Sequence, residues 1–131
     1  MIAVKVKTRD ETRKLLARAR QGNYQSLGHA GAAIRLTAKR SIRRRKTASP
    51  AGQPPNTRKG QLRGAILYAV EKERGLVVVG PDATKVGKSA SAHEHGGRYK
   101  RQHYPRRPFM GPALEKNLDR LPRMWAGSVK A

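Results

Sequence analysis

No acidic residue lies between Glu11 and Glu71, and this long acid-free stretch limits what the chain can fold into. Lysine and arginine occur throughout it, and for those after Lys14 no carboxylate lies three or four positions away to neutralise them along a helix. Over the whole chain, 30 Lys and Arg oppose 8 Asp and Glu, for a net charge of +22. Such a charge destabilises a compact state through self-repulsion unless an anionic partner offsets it. We therefore expect the protein to bind a polyanion.

The acid-free stretch also contains the longest helical pattern of the chain. From Tyr24 onward, apolar and small residues recur at helical spacing, namely Leu27, Ala30, Gly31, Ile34, Ala38, Ser41 and Ile42. The other face and the C-terminal end hold the basic cluster, defined as Arg35, Lys39, Arg40, Arg43, Arg44, Arg45 and Lys46. We expect this cluster to face DNA, and the alternative is a solvated helix face.

Shorter patterns predict the other elements of the first half. Residues 2–7 alternate apolar and polar side chains and predict a short strand. Thr8 or Asp10 can cap a short first helix that ends at Gln21–Asn23. Residues 47–60 contain three prolines and two glycines, which predicts an extended loop or arm.

In the second half, residues 62–79 predict a β-hairpin with a glycine-containing turn. Residues 81–92 are small and polar and predict a second loop, and residues 98–104 predict a strand that returns to the same sheet. A C-terminal helix, ended or kinked by Pro122, is predicted from the spacing of Leu114, Leu118, Leu121 and Trp125. At 131 residues, the chain is expected to form one domain, residues 1–131.

The sequence lacks the residues that several classes of function require. The absence of cysteine excludes disulfides and thiolate metal sites, and no apolar segment is long enough to predict a membrane span. Gly87-Lys88-Ser89 resembles the end of a phosphate-binding loop, but Asp82 stands where the first glycine is required. No nucleophile elbow or triad is recognisable, so we expect neither enzyme activity nor a cofactor.

Histidines concentrate in the segment Ser91–Leu114, which we call the signature segment. His93-Glu94-His95 raises a metal-binding hypothesis, but only His103 is near enough in sequence to be a third ligand. The structural alternative is that Glu94 accepts backbone hydrogen bonds or pairs with a nearby arginine. We prefer an interface role for Glu94, because it is the lone anion of a basic region.

Gly96 and Gly97 allow positive φ, and Pro105 and Pro108 hold the chain extended ahead of a predicted helix start. Arginine, phenylalanine and methionine are frequent in interface cores. We therefore expect a subunit interface formed by Glu94, Arg106, Arg107, Phe109 and Met110. The alternative for Phe109 is a place in the core of its own domain.

Two parts of the signature segment resemble a known family. Residues 93–98 read His-Glu-His-Gly-Gly-Arg, and residues 104–115 read Tyr-Pro-Arg-Arg-Pro-Phe-Met-Gly-Pro-Ala-Leu-Glu. They are similar to the small head-tail joining proteins of long-tailed DNA bacteriophages, as are Val77–Pro81 and Pro54-Pro55-Asn56-Thr57-Arg58-Lys59-Gly60-Gln61-Leu62-Arg63-Gly64-Ala65-Ile66, in which Lys59 is inserted into the family pattern. This family is also called minor tail component, neck, tail-completion or virion morphogenesis proteins. The chain departs from the family pattern at His95, usually aromatic or apolar, and at Arg106, usually alanine.

The resemblance implies an α+β fold, in which a curved antiparallel sheet of about four strands packs against a long N-terminal helix and a shorter C-terminal one. It also implies a structural virion protein of the neck or tail top, assembled in the host bacterial cytoplasm. Identical subunits would form a ring between adjacent head-completion or connector and tail proteins. The basic cluster would then face packaged double-stranded DNA through non-specific phosphate contact. The alternative is a free, sequence-independent nucleic-acid-binding protein.

Overall fold

The computed structural model describes residues 2–128, with side chains from residue 11 onward. Its elements, in chain order, are α1 (Ile2–Ser41), β1 (Arg43–Arg44), β2 (Asn56–Thr57), α2 (Gln61–Ala65), β3 (Ile66–Glu71), β4 (Leu76–Pro81), α3 (Ala83–Val86), α4 (Ser89–His95), β5 (Gly97–Tyr99), β6 (Gln102–Tyr104), α5 (Met110–Asn117) and α6 (Leu121–Trp125). A long N-terminal helix, small antiparallel sheets and C-terminal helices confirm the predicted α+β class.

Helix α1 is one uninterrupted helix, so the predicted strand at residues 2–7 and the predicted break at Gln21–Asn23 are both wrong. Alternation over six residues is too short a pattern to distinguish a strand from the start of a helix. At the expected break, packing against the end of the chain stabilises the helix. Asn23 Oδ1 accepts a hydrogen bond of 2.9 Å from the Trp125 indole, and Ser26 Oγ donates one of 2.8 Å to the Met124 carbonyl.

Gly22, at the centre of that expected break, is buried against the backbone of Ser128. A Cβ at this position would collide with the Ser128 carbonyl. The glycine therefore permits a close approach of two backbones and does not end the helix.

Strands β3 and β4 form the predicted hairpin, with Ile66 opposite Pro81 and Glu71 opposite Leu76. The hairpin packs across α1, where Gly31 leaves room for the side chains of Tyr68 and Val77. Residues 62–65, expected at the start of the first strand, instead belong to helix α2.

The predicted four-stranded sheet is divided, because residues 2–128 contain three separate two-stranded sheets. Residues 98–104 do not return to the β3–β4 sheet. They form most of the β5–β6 hairpin, in which Lys100 and Arg101 adopt positive φ at the tight turn. The two halves of the segment pair with each other, and neither is hydrogen-bonded to the β3–β4 sheet.

Residues 81–92 are largely helical, which corrects the prediction of a second loop. Asp82 begins α3 by accepting a 2.9 Å hydrogen bond from the Thr84 amide, a side-chain cap that the composition of the segment concealed. Asp82 also accepts a bond from the Thr84 hydroxyl, and these bonds lower the pKa of its carboxyl below the ordinary value.

The core lies between the C-terminal half of α1 and the elements that follow. Its buried members are Ile34, Ala38, Ile42, Leu62, Ile66, Ala90, Phe109 and Ala113. The predicted C-terminal helix consists of α5 and α6, and Pro122 lies in the first turn of α6, where its missing N–H disturbs no helical bond. No helix of the described residues combines the length and the apolar character needed to cross a membrane.

Candidate nucleic-acid interface

The Glu94 carboxylate connects the two motif-bearing halves of the signature segment. Its Oε2 accepts hydrogen bonds from the backbone amides of Phe109 (2.8 Å) and Met110 (2.9 Å), and its Oε1 accepts one from Gly111 (2.9 Å). These amides begin α5, so Glu94 caps that helix from α4. Burial alone raises the pKa of Glu94, but the three backbone bonds and the nearby charge of His95 lower it overall.

The structural alternative for Glu94 is therefore the one observed: its carboxylate is engaged within its own chain. The glycines after it also behave as predicted, since Gly96 and Gly97 have φ of 74° and 124°. A Cβ on Gly96 would lie 3.3 Å from the Arg106 amide nitrogen, so glycine permits the chain to fold back tightly here.

The two arginines of the signature segment have different positions. Arg107 is half-buried, and its Nε donates a 2.7 Å hydrogen bond to the Ser49 carbonyl. Arg106 is exposed, its Nε donates to the Glu94 carbonyl at 3.3 Å, and its own carbonyl accepts a 2.8 Å bond from the Gly52 amide. Together these bonds hold the loop of residues 47–60 against the signature segment.

Phe109 is only 1% exposed and belongs to the core of its own domain. Its side chain is thus inaccessible to a neighbouring subunit, which corrects its placement in an interface and supports the alternative. Met110 is half-buried and packs against the same core. Of the five residues expected at the interface, Arg106 alone is exposed.

The histidines lie on different surfaces. His93 and His95 are two positions apart on α4, a spacing that separates side chains on a helix. His93 packs edge-on against Tyr104, with ring centroids 5.3 Å apart, and burial followed by the charge of Arg107 lowers its pKa. Among the described residues, no group of three or more His, Cys, Asp or Glu side chains is placed to hold a metal ion.

The basic cluster does not lie on a single helix face. Arg35 is half-buried, and its Nε donates a 2.7 Å hydrogen bond to the Ile66 carbonyl, so it connects α1 to β3. Lys39 is also half-buried, whereas Arg40 is exposed near the end of α1. The predicted DNA contact is thus least favourable for Arg35, whose guanidinium is engaged within the protein.

The remaining cations of the cluster follow the end of α1, which corrects their placement on the helix. Arg43 and Arg44 form β1, which pairs in parallel with Asn56 and Thr57 of β2. Side chains alternate along this extended segment, so Arg43 and Arg45 line a cleft and Arg44 lies on the other side. The Arg44 Nε donates a hydrogen bond to the Arg58 carbonyl at 3.1 Å. Lys46 is exposed.

The cleft lies between the end of α1, the loop of residues 47–60 and α5, and has a volume of about 780 Å³. Its cations are Arg40, Arg43, Arg45 and Lys116, and no acidic residue is among its lining residues. The rest of the lining is uncharged, and consists of the polar residues Thr37, Ser41, Ser49, Gln53 and Asn56 together with Pro50, Ala51 and Pro54.

Ion pairing leaves this positive charge intact. Across residues 15–128, a single ion pair joins Arg74 to Glu71 at 3.7 Å, in the exposed β3–β4 turn. No cation of the basic cluster is neutralised by a carboxylate within that range. The surface around the end of α1 is therefore strongly attractive to anions.

Sequence reasoning missed Lys116 and Ser49, which share the cleft with Arg40, Arg43 and Arg45. Lys116 is 70 residues or more from the arginines in sequence, and only the packing of α5 against α1 brings it near them. The composition of residues 47–60 predicted a loop, but no local pattern indicated that Ser49 would be buried.

Comparison with protein-family models, with curated proteins and with solved structures finds no match to this chain.

Proposed function

We propose that this chain is a structural virion protein of the phage neck or tail top, forming a homo-oligomeric ring that joins the DNA-filled head to the tail. The observation that supports the proposal most directly is the cap by Glu94. Its three hydrogen bonds join His-Glu-His-Gly-Gly-Arg to the start of Phe-Met-Gly-Pro-Ala-Leu. The two resembling motifs thus form one structural unit, as expected if both are retained from one ancestral fold.

The unpaired cations supply the second part of the proposal, contact with packaged DNA. A ring repeats one basic surface around its axis, so many weak phosphate contacts hold DNA collectively while each remains mobile. The exposed members of the basic cluster would supply these contacts. Arg35, which is half-buried, would add to the positive potential of the surface without touching DNA.

The test is the mass of the purified protein by light scattering at moderate salt, together with cryo-electron microscopy of virions or capsid-tail assemblies. The proposal expects a symmetric ring at the head-tail junction with the end of α1 facing the lumen. Location of the chain elsewhere in the particle would contradict the neck assignment. A ring whose basic cluster faced outward would contradict the DNA-facing part alone.

The same unpaired cations favour a second function, that of a free nucleic-acid-binding protein. In that case a stable monomer binds duplex DNA without sequence preference, and log K falls with log salt at a slope near −4.5 if about five phosphates are contacted. A monomer with this slope that is absent from every particle would favour the second function.

A further inference from the structure

We propose that the cleft at the end of α1 is a discrete phosphate-binding site. In it, Arg40, Arg43, Arg45 and Lys116 provide the charge and the Ser49 hydroxyl provides a hydrogen bond. This goes beyond a basic surface that attracts DNA, because it assigns a bounded site with a neutral recognition group. It requires neither a ring nor a phage particle.

The lining of the cleft is strongly positive. Four cations from three parts of the chain line one concave surface, without a carboxylate among the lining residues. Like charges brought together in this way repel each other, and an anion between them removes the repulsion. Arginine forks match phosphate oxygens in pairs, which favours phosphate over a single-atom anion.

Ser49 supplies evidence that does not depend on charge. This residue lines the cleft, is 7% exposed, and its buried Oγ has no hydrogen-bond partner among the described residues. A buried hydroxyl without a partner costs free energy, and rotation of the Ser49 side chain about its Cα–Cβ bond would let a phosphate oxygen in the cleft accept its proton. A surface that only attracts polyanions needs no such group.

Hydrogen bonds within the protein hold the lining of the cleft in place. The Arg107 guanidinium donates to the Ser49 carbonyl at 2.7 Å, and the Gly52 amide donates to the Arg106 carbonyl at 2.8 Å. At another lining residue, the Arg45 amide donates to the Thr57 carbonyl at 3.0 Å. A site held in this way loses little conformational entropy when a ligand binds.

The volume indicates what the site accepts. About 780 Å³ is within the range of small-ligand sites and far exceeds one phosphate group. Two adjacent phosphates, or a phosphate with its sugar, fit this space and the four cations. The ligand chemistry is thus a diphosphate or a short run of nucleic-acid backbone.

The experiment uses the full chain, with pyrophosphate as the first probe in titration calorimetry at low ionic strength. Arg43→Gln and Arg44→Gln form a matched pair, since both remove one exposed cation from β1 but only Arg43 lines the cleft. We expect Arg43→Gln to weaken pyrophosphate binding about tenfold. Arg44→Gln should weaken it less than about twofold. Equal effects of the two variants would show diffuse attraction and overturn the proposal.

Ser49→Ala provides a test without any change of charge. Removing an unpartnered hydroxyl leaves thermal stability unchanged or raised, whereas the site predicts pyrophosphate binding weakened about fivefold. Unchanged pyrophosphate affinity in Ser49→Ala would overturn the assignment of its hydroxyl. If Arg43→Gln does not fold, Lys116→Gln, which removes the cleft cation of α5, replaces it in the comparison with Arg44→Gln.

A labelled 12-base-pair duplex then identifies the source of the phosphate, measured by fluorescence anisotropy. If the ligand is nucleic-acid backbone, pyrophosphate competes with the duplex and Arg43→Gln weakens both. If the ligand is a free diphosphate compound, pyrophosphate binds in the cleft without displacing the duplex. Both results support a phosphate site. Absence of pyrophosphate binding to the unmodified chain would refute the site. That outcome would not bear on the proposed ring, which is tested separately by cryo-electron microscopy of particles.

Discussion

Replacing Glu94 with glutamine should destabilise the fold, because this carboxylate is the cap of α5. Both carboxylate oxygens are used, Oε2 by the amides of Phe109 and Met110 and Oε1 by the amide of Gly111. The glutamine oxygen can replace Oε2, but its NH₂ group would then face the Gly111 N–H, donor against donor. One bond is lost, and the remaining two lose their charge.

The size of the effect follows from these losses. A hydrogen bond to a charged group contributes about 1.5–3 kcal/mol, and Glu94 is half-buried, so solvent screening reduces its share. We therefore expect Glu94→Gln to lower the free energy of unfolding by roughly 2 kcal/mol. For a domain of this size, that corresponds to a decrease in Tm of about 8 °C.

The dependence on pH distinguishes a charged cap from simple packing. Because the pKa of Glu94 is lowered in the folded state, its stabilisation is complete above the ordinary glutamate pKa of about 4.3 and is lost as pH falls through the folded value. The difference between the unmodified chain and Glu94→Gln should thus be constant above about pH 5.5 and shrink below about pH 4.

The assay is urea unfolding followed by circular dichroism at several pH values, with Glu115→Gln as the matched control. Glu115 is an exposed residue of the same helix and its carboxylate caps nothing, so its replacement should change stability by less than about 0.5 kcal/mol. Equal stability of Glu94→Gln and Glu115→Gln would refute the assignment of Glu94 as a cap. A difference in stability between these variants that does not vary with pH would refute the charged character of the cap.

Three further predictions test the core, the packing of the hairpin on α1 and the burial of His93. Phe109→Ala should cost about 3–5 kcal/mol of unfolding free energy in urea denaturation, and a folded, fully stable variant would contradict its core position. Gly31→Ala should lower Tm, because a Cβ at this position would lie 2.9 Å from the Tyr68 ring. Gly28→Ala should raise Tm, because no atom lies within 4 Å of the added Cβ and alanine favours a helix. The opposite order of the two Tm values would contradict the packing of the hairpin on α1. Since burial and then the charge of Arg107 lower the pKa of His93, stability should fall below about pH 6.5, and urea unfolding of His93→Phe should show a smaller loss between pH 7.5 and 5.5.

Local patterns predicted those elements whose determinants are close in sequence. The β3–β4 hairpin has its turn between two runs of β-branched and apolar residues, and Gly96 is at a tight bend. The apolar spacing from Leu27 to Ile42 correctly predicted the buried face of α1. Each of these features is decided by residues within a few positions of each other.

Distant contacts decided the features that were mispredicted. Residues 21–23 contain a glycine and an asparagine, which end helices in isolation, but residues 124–128 pack there and the helix continues. Phe109 precedes a helix start, and the sequence alone could not tell whether its ring would lie in a subunit interface or in the core cluster that includes Ile34 and Ile66. Local propensity is a weak prior that such tertiary contacts override.

The cleft depends on the signature segment even though none of that segment's residues lines it. Arg106 and Arg107 hold the loop of residues 47–60, and that loop places Ser49 in the same cleft as Arg43 and Arg45. Glu94 in turn holds the start of α5, the helix that contains Lys116. A substitution at Glu94 or Arg107 should therefore weaken phosphate binding indirectly, by displacing the walls of the cleft. The signature segment and the proposed phosphate site are thus structurally coupled, and substitutions in the signature segment should be detectable as weaker phosphate binding in the cleft.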